Sequence, residues 1–312
     1  MTTVDPCESE GLSRILVIRG GAIGDFILTL PAIKLLRDAF PCAHLEILGY
    51  RHIISLAEVS GYANATRSIE YGPLASFFAP ESELASELVE YFQSFQQIVS
   101  YLFDPDDIFA SNLRRAGARN VICASSKISD REHAARQLAR PLEKLGLYLE
   151  NAAAQILPNE TRLPDPNLIA IHPGSGSESK NWPLPGFVEV AGTFLDQNPD
   201  RRLLLVGGEA DAERLTKLRA ALPNERLEIA ENLPLTALAK ELCNCAAFIG
   251  HDSGISHLAA AVGTPSLLLY GPTDPAIWAP QNPNVRILRG PTLRMKDIDP
   301  PAVMMSLGKL MS

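Results

Sequence analysis

The feature that most restricts this chain is a rhythm that breaks once and then begins again. Short apolar runs alternate with longer amphipathic stretches. That is the pattern of parallel βαβ units, whose strands are buried on both faces and so read as continuous apolar segments. Residues 15–18 predict a first strand, followed by the turn Gly20-Gly21-Ala22-Ile23-Gly24 and a helix with apolar Ile27, Leu30, Ile33, Leu35 and Leu36. Pro31 belongs either to that helix's opening turn or to a kink. Strands at 45–48, 97–101 and 120–123 and helices at 83–95 and 109–116 continue the rhythm. Between Asn151 and Asn167 it lapses, and Pro158, Pro164 and Pro166 cluster among polar residues, which is linker chemistry. It then restarts with strands at 168–171, 202–206, 246–249 and 266–269 and helices at 187–197, 210–221, 235–242 and 256–261. The expectation is an α/β protein of two Rossmann-like, doubly wound parallel-sheet domains, residues 1–160 and 161–312. A length of 312 residues suits two domains. The last stretch, 295–312, reads as weakly helical and is open to packing back on the first domain.

Composition removes several function classes. Hydrophobic residues make up 46% and charged residues 21%, ample for two cores, and the net charge of -8 argues against a nucleic-acid partner. Five cysteines, Cys7, Cys42, Cys123, Cys243 and Cys245, are an odd set, four of them in or beside apolar segments, and are expected as buried reduced thiols. The spacing of Cys243 and Cys245 is not that of a zinc knuckle, so no metal site is expected. No apolar run approaches the ~18 residues that cross a bilayer. The start, with Asp5, Glu8 and Glu10, is acidic and unlike a secretory leader. A cytoplasmic protein is expected, at most touching the inner face of a membrane.

In open parallel sheets ligands bind beyond the carboxyl ends of the strands, and three strand ends here carry unusual residues. The first is Arg19-Gly20-Gly21-Ala22-Ile23-Gly24-Asp25. Its glycines allow close backbone approach with a helix start behind them. The spacing is not G-x-G-x-x-G, and the second strand ends in Gly49 and Tyr50 with no acid for a ribose, which disfavours a nicotinamide-dependent oxidoreductase. Asp25 fits an ordinary helix cap, worth about 1 kcal/mol, and equally a base facing a hydroxyl. The second is the segment from His172-Pro173-Gly174-Ser175-Gly176 to Lys180-Asn181-Trp182, whose free N–H groups, hydroxyls and lysine suit an anion. An incidental Gly/Ser loop fits the same residues, and His172 alone reads as a packing residue. The third is Asp252-Ser253-Gly254-Ile255-Ser256-His257, where a strand feeds a helix whose first N–H groups can meet a diphosphate. Asp252 also fits the plain role of N-cap. A phosphorylated ligand between the two halves is the expectation.

These blocks, with Leu30-Pro31-Ala32 and Tyr270-Gly271-Pro272-Thr273-Asp274-Pro275, stand in one order along the chain. In them the sequence resembles the ADP-heptose:lipopolysaccharide heptosyltransferases, glycosyltransferase family 9. The resemblance implies a GT-B fold, two Rossmann-like domains facing across a cleft. It implies an inverting, metal-independent transfer of a heptose or related sugar from an ADP-activated donor to a lipopolysaccharide-core acceptor, lipid-linked or oligosaccharide, with no cofactor. Asp25 matches the family's general base, Lys180 the lysine on the donor phosphate or sugar, and Asp252 the aspartate facing the sugar. Ser175, Ser253, Gly254, Ile255 and His257 match residues around the diphosphate. Glu213 matches a ribose contact and Leu233 an adenine contact. Two departures stand out: glycines 20 and 21 where small polar residues are common, and Ser253 for the commoner threonine. Residues 49–166 carry no motif, and Arg114, Arg115, Arg119, Arg131, Arg136 and Arg140 there read first as a solvated helix face. Another sugar or acceptor on the same fold, and a nucleotide-sugar-binding protein without transfer, are the alternatives.

Overall fold

The computed structural model describes residues 14–125, 127–156 and 163–311. Cys7, the acidic start, Pro158 and Ser312 lie outside the described residues. The chain forms two all-parallel sheets. The first half runs β1 (Arg14–Arg19), α1 (Ile23–Ala39), β2 (His44–Gly49), α2 (Arg51–Val59), β3 (Ala65–Ser68), α3 (Ser86–Gln93), β4 (Gln97–Ser100), α4 (Ile108–Arg115), β5 (Val121–Cys123) and α5 (Ala134–Ala139). Its strands lie in the order β3-β2-β1-β4-β5. The second half runs β6 (Asp165–Ile171), α6 (Leu184–Asp196), β7 (Arg202–Gly207), α7 (Ala212–Ala220), β8 (Leu227–Glu231), α8 (Leu235–Asn244), β9 (Cys245–His251), α9 (Gly254–Ala261), β10 (Ser266–Tyr270), α10 (Pro275–Trp278), β11 (Val285–Arg289) and α11 (Pro300–Met311). Its sheet order is β11-β10-β9-β6-β7-β8. Contacts group the chain into two units, and the opening of α1 (residues 23–28) and residues 130–133 belong with the second.

Each sheet is a doubly wound Rossmann type, in which the strand order runs outward in both directions from the first strand. The apolar runs explain this. Ile15, Leu16, Val17 and Ile18 in β1 are buried, as are Leu168 to Ile171 in β6. Each such side chain removed from water contributes roughly 1.5–3 kcal/mol. On the second sheet, Phe187, Val190 and Phe194 of α6 meet Ile169, Ile171, Leu203 and Ile249. The first sheet has its own cluster, with Leu16, Ile18 and Ile98 against Phe77, Phe92, Phe95 and Phe109.

Several expectations shift here. The carboxyl-terminal helix α11, whose place the sequence left open, packs on α6 and the second sheet. Val303 and Leu307 complete that core, an apolar match that its weak periodicity concealed. Pro31 sits inside α1, about two turns from its start, where it removes one backbone hydrogen bond without ending the helix. Among the described residues the cysteines are not uniformly reduced and buried: Cys42 is disulfide-bonded, Cys123 is an exposed thiol, Cys243 is half-buried and Cys245 is buried. Helix α2 and strands β3, β8 and β11 lacked a readable apolar run, because their residues are mostly half-exposed or mixed. Among the described residues no helix is long and apolar enough to cross a membrane.

Gly49 closes β2 beside Arg19 of β1. A β-carbon there would stand 2.5 Å from the Arg19 carbonyl oxygen and 2.6 Å from Ile54 Cγ2. Gly49→Ala is expected to cost about 1–3 kcal/mol by overpacking, read from chemical denaturation. An unchanged midpoint would show that the backbone has room.

Candidate functional site

In the second sheet the strand order reverses between β6 and β9, so the crevice of a doubly wound sheet opens beyond their carboxyl ends. His172 follows β6 and Asp252 follows β9, which brings the second and third sequence blocks together. Lys180 Nζ lies 2.7 Å from Asp252 Oδ2, and the carboxylate is largely enclosed while the lysine stays partly exposed. Asp252 is not the cap of α9. That role falls to Ser253, whose hydroxyl oxygen accepts the Ser256 N–H at 3.3 Å. Asp252 is therefore left to Lys180. Gly254 and Ile255, next in line, open α9 with N–H groups free of intrahelical partners by position.

The loop carrying Lys180 is tied at both ends. His251 Nδ1 lies 3.2 Å from the Gly174 carbonyl, and the Trp182 N–H reaches His251 Nε2 at 2.9 Å. Since Nε2 accepts, Nδ1 carries the proton and donates, so the ring is neutral. Its surroundings agree: His251 is completely buried, with Phe187 edge-on at 5.2 Å, and burial pulls its pKa to about 3. Arg214 adds a second clamp, donating from Nε to the Pro173 carbonyl at 2.8 Å and from a terminal nitrogen to the Trp182 carbonyl at 2.6 Å. The Trp182 indole is buried against Gly186 and donates to the Ile298 carbonyl at 3.0 Å. Within the loop Ser175 Oγ lies 2.8 Å from the Ser177 carbonyl and 2.9 Å from Asn181 Oδ1. Ser175 thus braces the loop in this state.

Asp25 lies in the first turn of α1, and that turn groups with the second unit. The starts of α1 and α9 touch. A β-carbon on Gly254 would stand 2.8 Å from Ile23 Cβ and 2.9 Å from the Gly24 nitrogen, so only glycine fits. His257, buried one turn into α9, feels both acids. Burial lowers its pKa to about 4, Asp252 and Asp25 oppose that shift, and His133 and Lys180 add to it. Tyr270 ends β10 next to Asp252, one residue past the Leu269–His251 pair. Its hydroxyl is buried, and burial first and then the neighbouring Asp252 carboxylate raise the phenol's pKa well above the ordinary range.

Of the residues expected from sequence, Lys180, Asp252, Ser175, Ser253, Gly254, Ile255, His257 and Asp25 belong to this one region. Glu213 and Leu233 do not join their hydrogen-bond network. Glu213 is exposed on α7 and paired with Lys217 at 2.6 Å, and Leu233 is exposed in the turn after β8. The six arginines are all exposed, and Arg114 pairs with Asp107 while Arg136 holds the carbonyls of Leu149 and Glu150. Asp211, Arg214 and His251 were missed, because their partners stand 32 to 77 residues away in sequence.

A family model for glycosyltransferase family 9 (heptosyltransferase) matches residues 127–305. The chain belongs to that family. A lipooligosaccharide heptosyltransferase 2 of Haemophilus influenzae is 32% identical over 127 residues, 39% of this chain and 36% of that relative. The aligned stretch thus spans about a third of the relative's length. Among solved structures, the E. coli ADP-heptose lps heptosyltransferase II has a TM-score of 0.74 at 19% identity, covering 96% of this chain and 98% of that one. The E. coli heptosyltransferase WaaC with ADP has a TM-score of 0.74 at 17% identity, covering 95% and 99%. At these identities the likeness shows the fold, which is α/β of the GT-B type.

The buried histidines give this family member a pH signature. An imidazole ordinarily titrates near 6.5, whereas His251 and His257 are held to about 3 and about 4. Below pH 6.5 the unfolded chain binds protons that the native state refuses. Stability is therefore full above 6.5 and falls on acidification, by roughly 1 kcal/mol per pH unit for each histidine until its folded pKa is reached. Denaturation midpoints between pH 7 and 4.5 should show this slope, and His251→Gln should flatten it. A midpoint independent of pH in that window would contradict the neutral, buried rings.

Proposed function

We propose that this family 9 protein is an inverting glycosyltransferase that takes a heptose from ADP-heptose and passes it to a lipopolysaccharide-core-type acceptor. The observation that carries the reading is the Lys180–Asp252 pair beside the start of α9. A cation, a carboxylate and a row of unpaired N–H groups suit the two ends of a sugar diphosphate. The diphosphate would lie over Ser253, Gly254 and Ile255 with Lys180 against it and His257 beneath, and Asp252 would face the sugar. Ser175 would turn from bracing its loop to the phosphate side. Glu213 would meet the ribose, exchanging Lys217 for it, and Leu233 would offer an apolar surface to adenine. The E. coli ADP-heptose lps heptosyltransferase II and the E. coli heptosyltransferase WaaC with ADP, which share this fold, support this donor.

In the proposed reaction an acceptor hydroxyl oxygen attacks the anomeric carbon from the face opposite the diphosphate. The new C–O bond forms as the bond to the phosphate oxygen breaks, through an oxocarbenium-like state. The hydroxyl proton passes to the Asp25 carboxylate, acting as general base. The extra negative charge on the departing ADP would be met by Lys180 and the α9 N–H groups, and charge preorganised there accelerates such a step. The acceptor is taken to be lipid-linked or an oligosaccharide, met on the cytoplasmic side of a membrane.

The test is incubation with ADP-heptose and a panel of lipopolysaccharide-core acceptors, with product followed by mass spectrometry. Transfer is expected. Asp25→Ala is expected to slow it by about 100-fold or more, the usual scale for a general base. Lys180→Ala is expected to weaken ADP binding at least about 10-fold, as loss of a charge-assisted contact does. Tight ADP binding with no transfer to any acceptor would favour a nucleotide-sugar-binding protein. Unaltered activity in Asp25→Ala would return that residue to a helix-end role.

A further inference from the structure

His172 is not merely packed at the end of β6. Its side chain is 3% exposed, and its Nε2 lies 3.0 Å from Asp211 Oδ2. Its other nitrogen, Nδ1, lies 3.4 Å from the hydroxyl oxygen of Ser253. Three residues from three separate elements thus line up as carboxylate, imidazole and hydroxyl, ending at the cap of α9. The backbone has been cleared for this line. A β-carbon on Gly174 would stand 1.7 Å from Asp211 Oδ1, so the carboxylate occupies the space a side chain at 174 would take. Arg214, one turn further along α7, fastens the same stretch through the Pro173 carbonyl.

The chemistry fixes the direction of each bond. An ionised carboxylate only accepts, so His172 Nε2 carries the proton and donates to Asp211. Burial acts to raise the Asp211 pKa, but the His172 contact and the Gly208 N–H outweigh it and the carboxyl stays ionised below its usual range. With Nε2 protonated, Nδ1 presents its lone pair to the Ser253 hydroxyl, which donates to it. The Ser256 hydroxyl donates to the His251 carbonyl, so its oxygen, 3.2 Å from Ser253 Oγ, is the second acceptor within reach of the Ser253 hydrogen, beside the His172 lone pair. The Ser253 oxygen also takes the Ser256 N–H on a lone pair, so the imidazole and the helix start meet on this one hydroxyl.

We infer that Asp211 and His172 are positioning residues that fix the Ser253 hydroxyl at the diphosphate end of the site, an inference that rests on the donor reading above. Neither touches the sugar nucleotide itself. They act through Ser253, setting which way its hydrogen points and holding the first N–H groups of α9 at one spacing from the ligand.

The experiment uses the full chain and two readouts. Nitrogen-15 NMR of the histidine rings should show His172 protonated on Nε2 in the free protein, and Asp211→Asn should shift the ring toward the Nδ1 tautomer, since an amide can donate to Nε2. Calorimetry with ADP should show Asp211→Asn and Ser253→Ala each weakening binding by about 5–10-fold, the scale of one hydrogen bond. The double variant should bind no worse than Ser253→Ala alone, and Ser253→Thr should restore affinity to within about 2-fold of the starting value, because the hydroxyl returns. Thermal midpoints of these variants separate the effect from general loosening, which would not vanish in the Ser253→Ala background. A wild-type His172 protonated on Nδ1, additive losses in the double variant, or unchanged affinity in Asp211→Asn would each overturn the inference. Failure of the wild-type protein to bind ADP would instead remove the donor reading, and the ring tautomer with its response to Asp211→Asn would still decide the relay.

Discussion

The arrangement around the second sheet depends on one uncharged imidazole. His251 lies at the end of a central strand with water excluded from it, and it can serve the chain only as one donor and one acceptor. The Gly174 carbonyl and the Trp182 N–H supply those two partners, eight residues apart on a single loop. Closing a loop of that length between two fixed points removes much of its conformational freedom, and the entropy is offset by bonds made in a buried, low-dielectric place. A protonated ring would have no acceptor to offer the Trp182 N–H, and the loop's far end would keep only the Arg214 and Ile298 contacts. Lys180 then hangs from a frame held at both ends, which brings a partly exposed ammonium to a largely enclosed carboxylate.

The two sheets share a winding and diverge at their strand ends. In the first, the chain leaves β1 through Gly21, whose φ of 97° only glycine takes without strain, and enters α1 with Asp25 in its opening turn. In the second, the chain leaves β6 through a longer loop that must be fastened from outside by His251, Arg214 and Asp211. A tight glycine turn holds itself, whereas a long polar loop needs partners. That difference accounts for where the buried hydrogen bonds concentrate.

Much of the fold was legible because buried parallel strands leave continuous apolar runs, as at Ile15 to Ile18 and Leu168 to Ile171. Strands with mixed faces, such as β8 and β11, leave none, and α11 joined its core through Val303 and Leu307 without a strong apolar stripe. The site was legible where chemistry is local. Lys180, Asp252 and the Ser253-Gly254 helix start announce themselves by residue type just past a strand. Partners distant in sequence were not legible. His251 stands two residues past the expected strand at 246–249 and Asp211 falls inside the expected helix at 210–221, and nothing local marks either as a partner of the loop. Asp252 was open to a capping role that the fold gives to its neighbour Ser253, a choice of one residue that local pattern does not make. Cys42 was misread for the same reason, since pairing is a property of space and not of spacing.

Trp182 has a consequence of an optical kind. It is one of two tryptophans in the chain, fully buried, with its indole nitrogen on the Ile298 carbonyl and its backbone on the same His251 ring that holds the loop. Its emission therefore reports the state of the anchor without any label. A dry, hydrogen-bonded indole emits toward the blue, and a loop that comes free admits water and shifts that light toward the red. The residue that secures the lysine's frame is also the molecule's own gauge of whether the frame is closed.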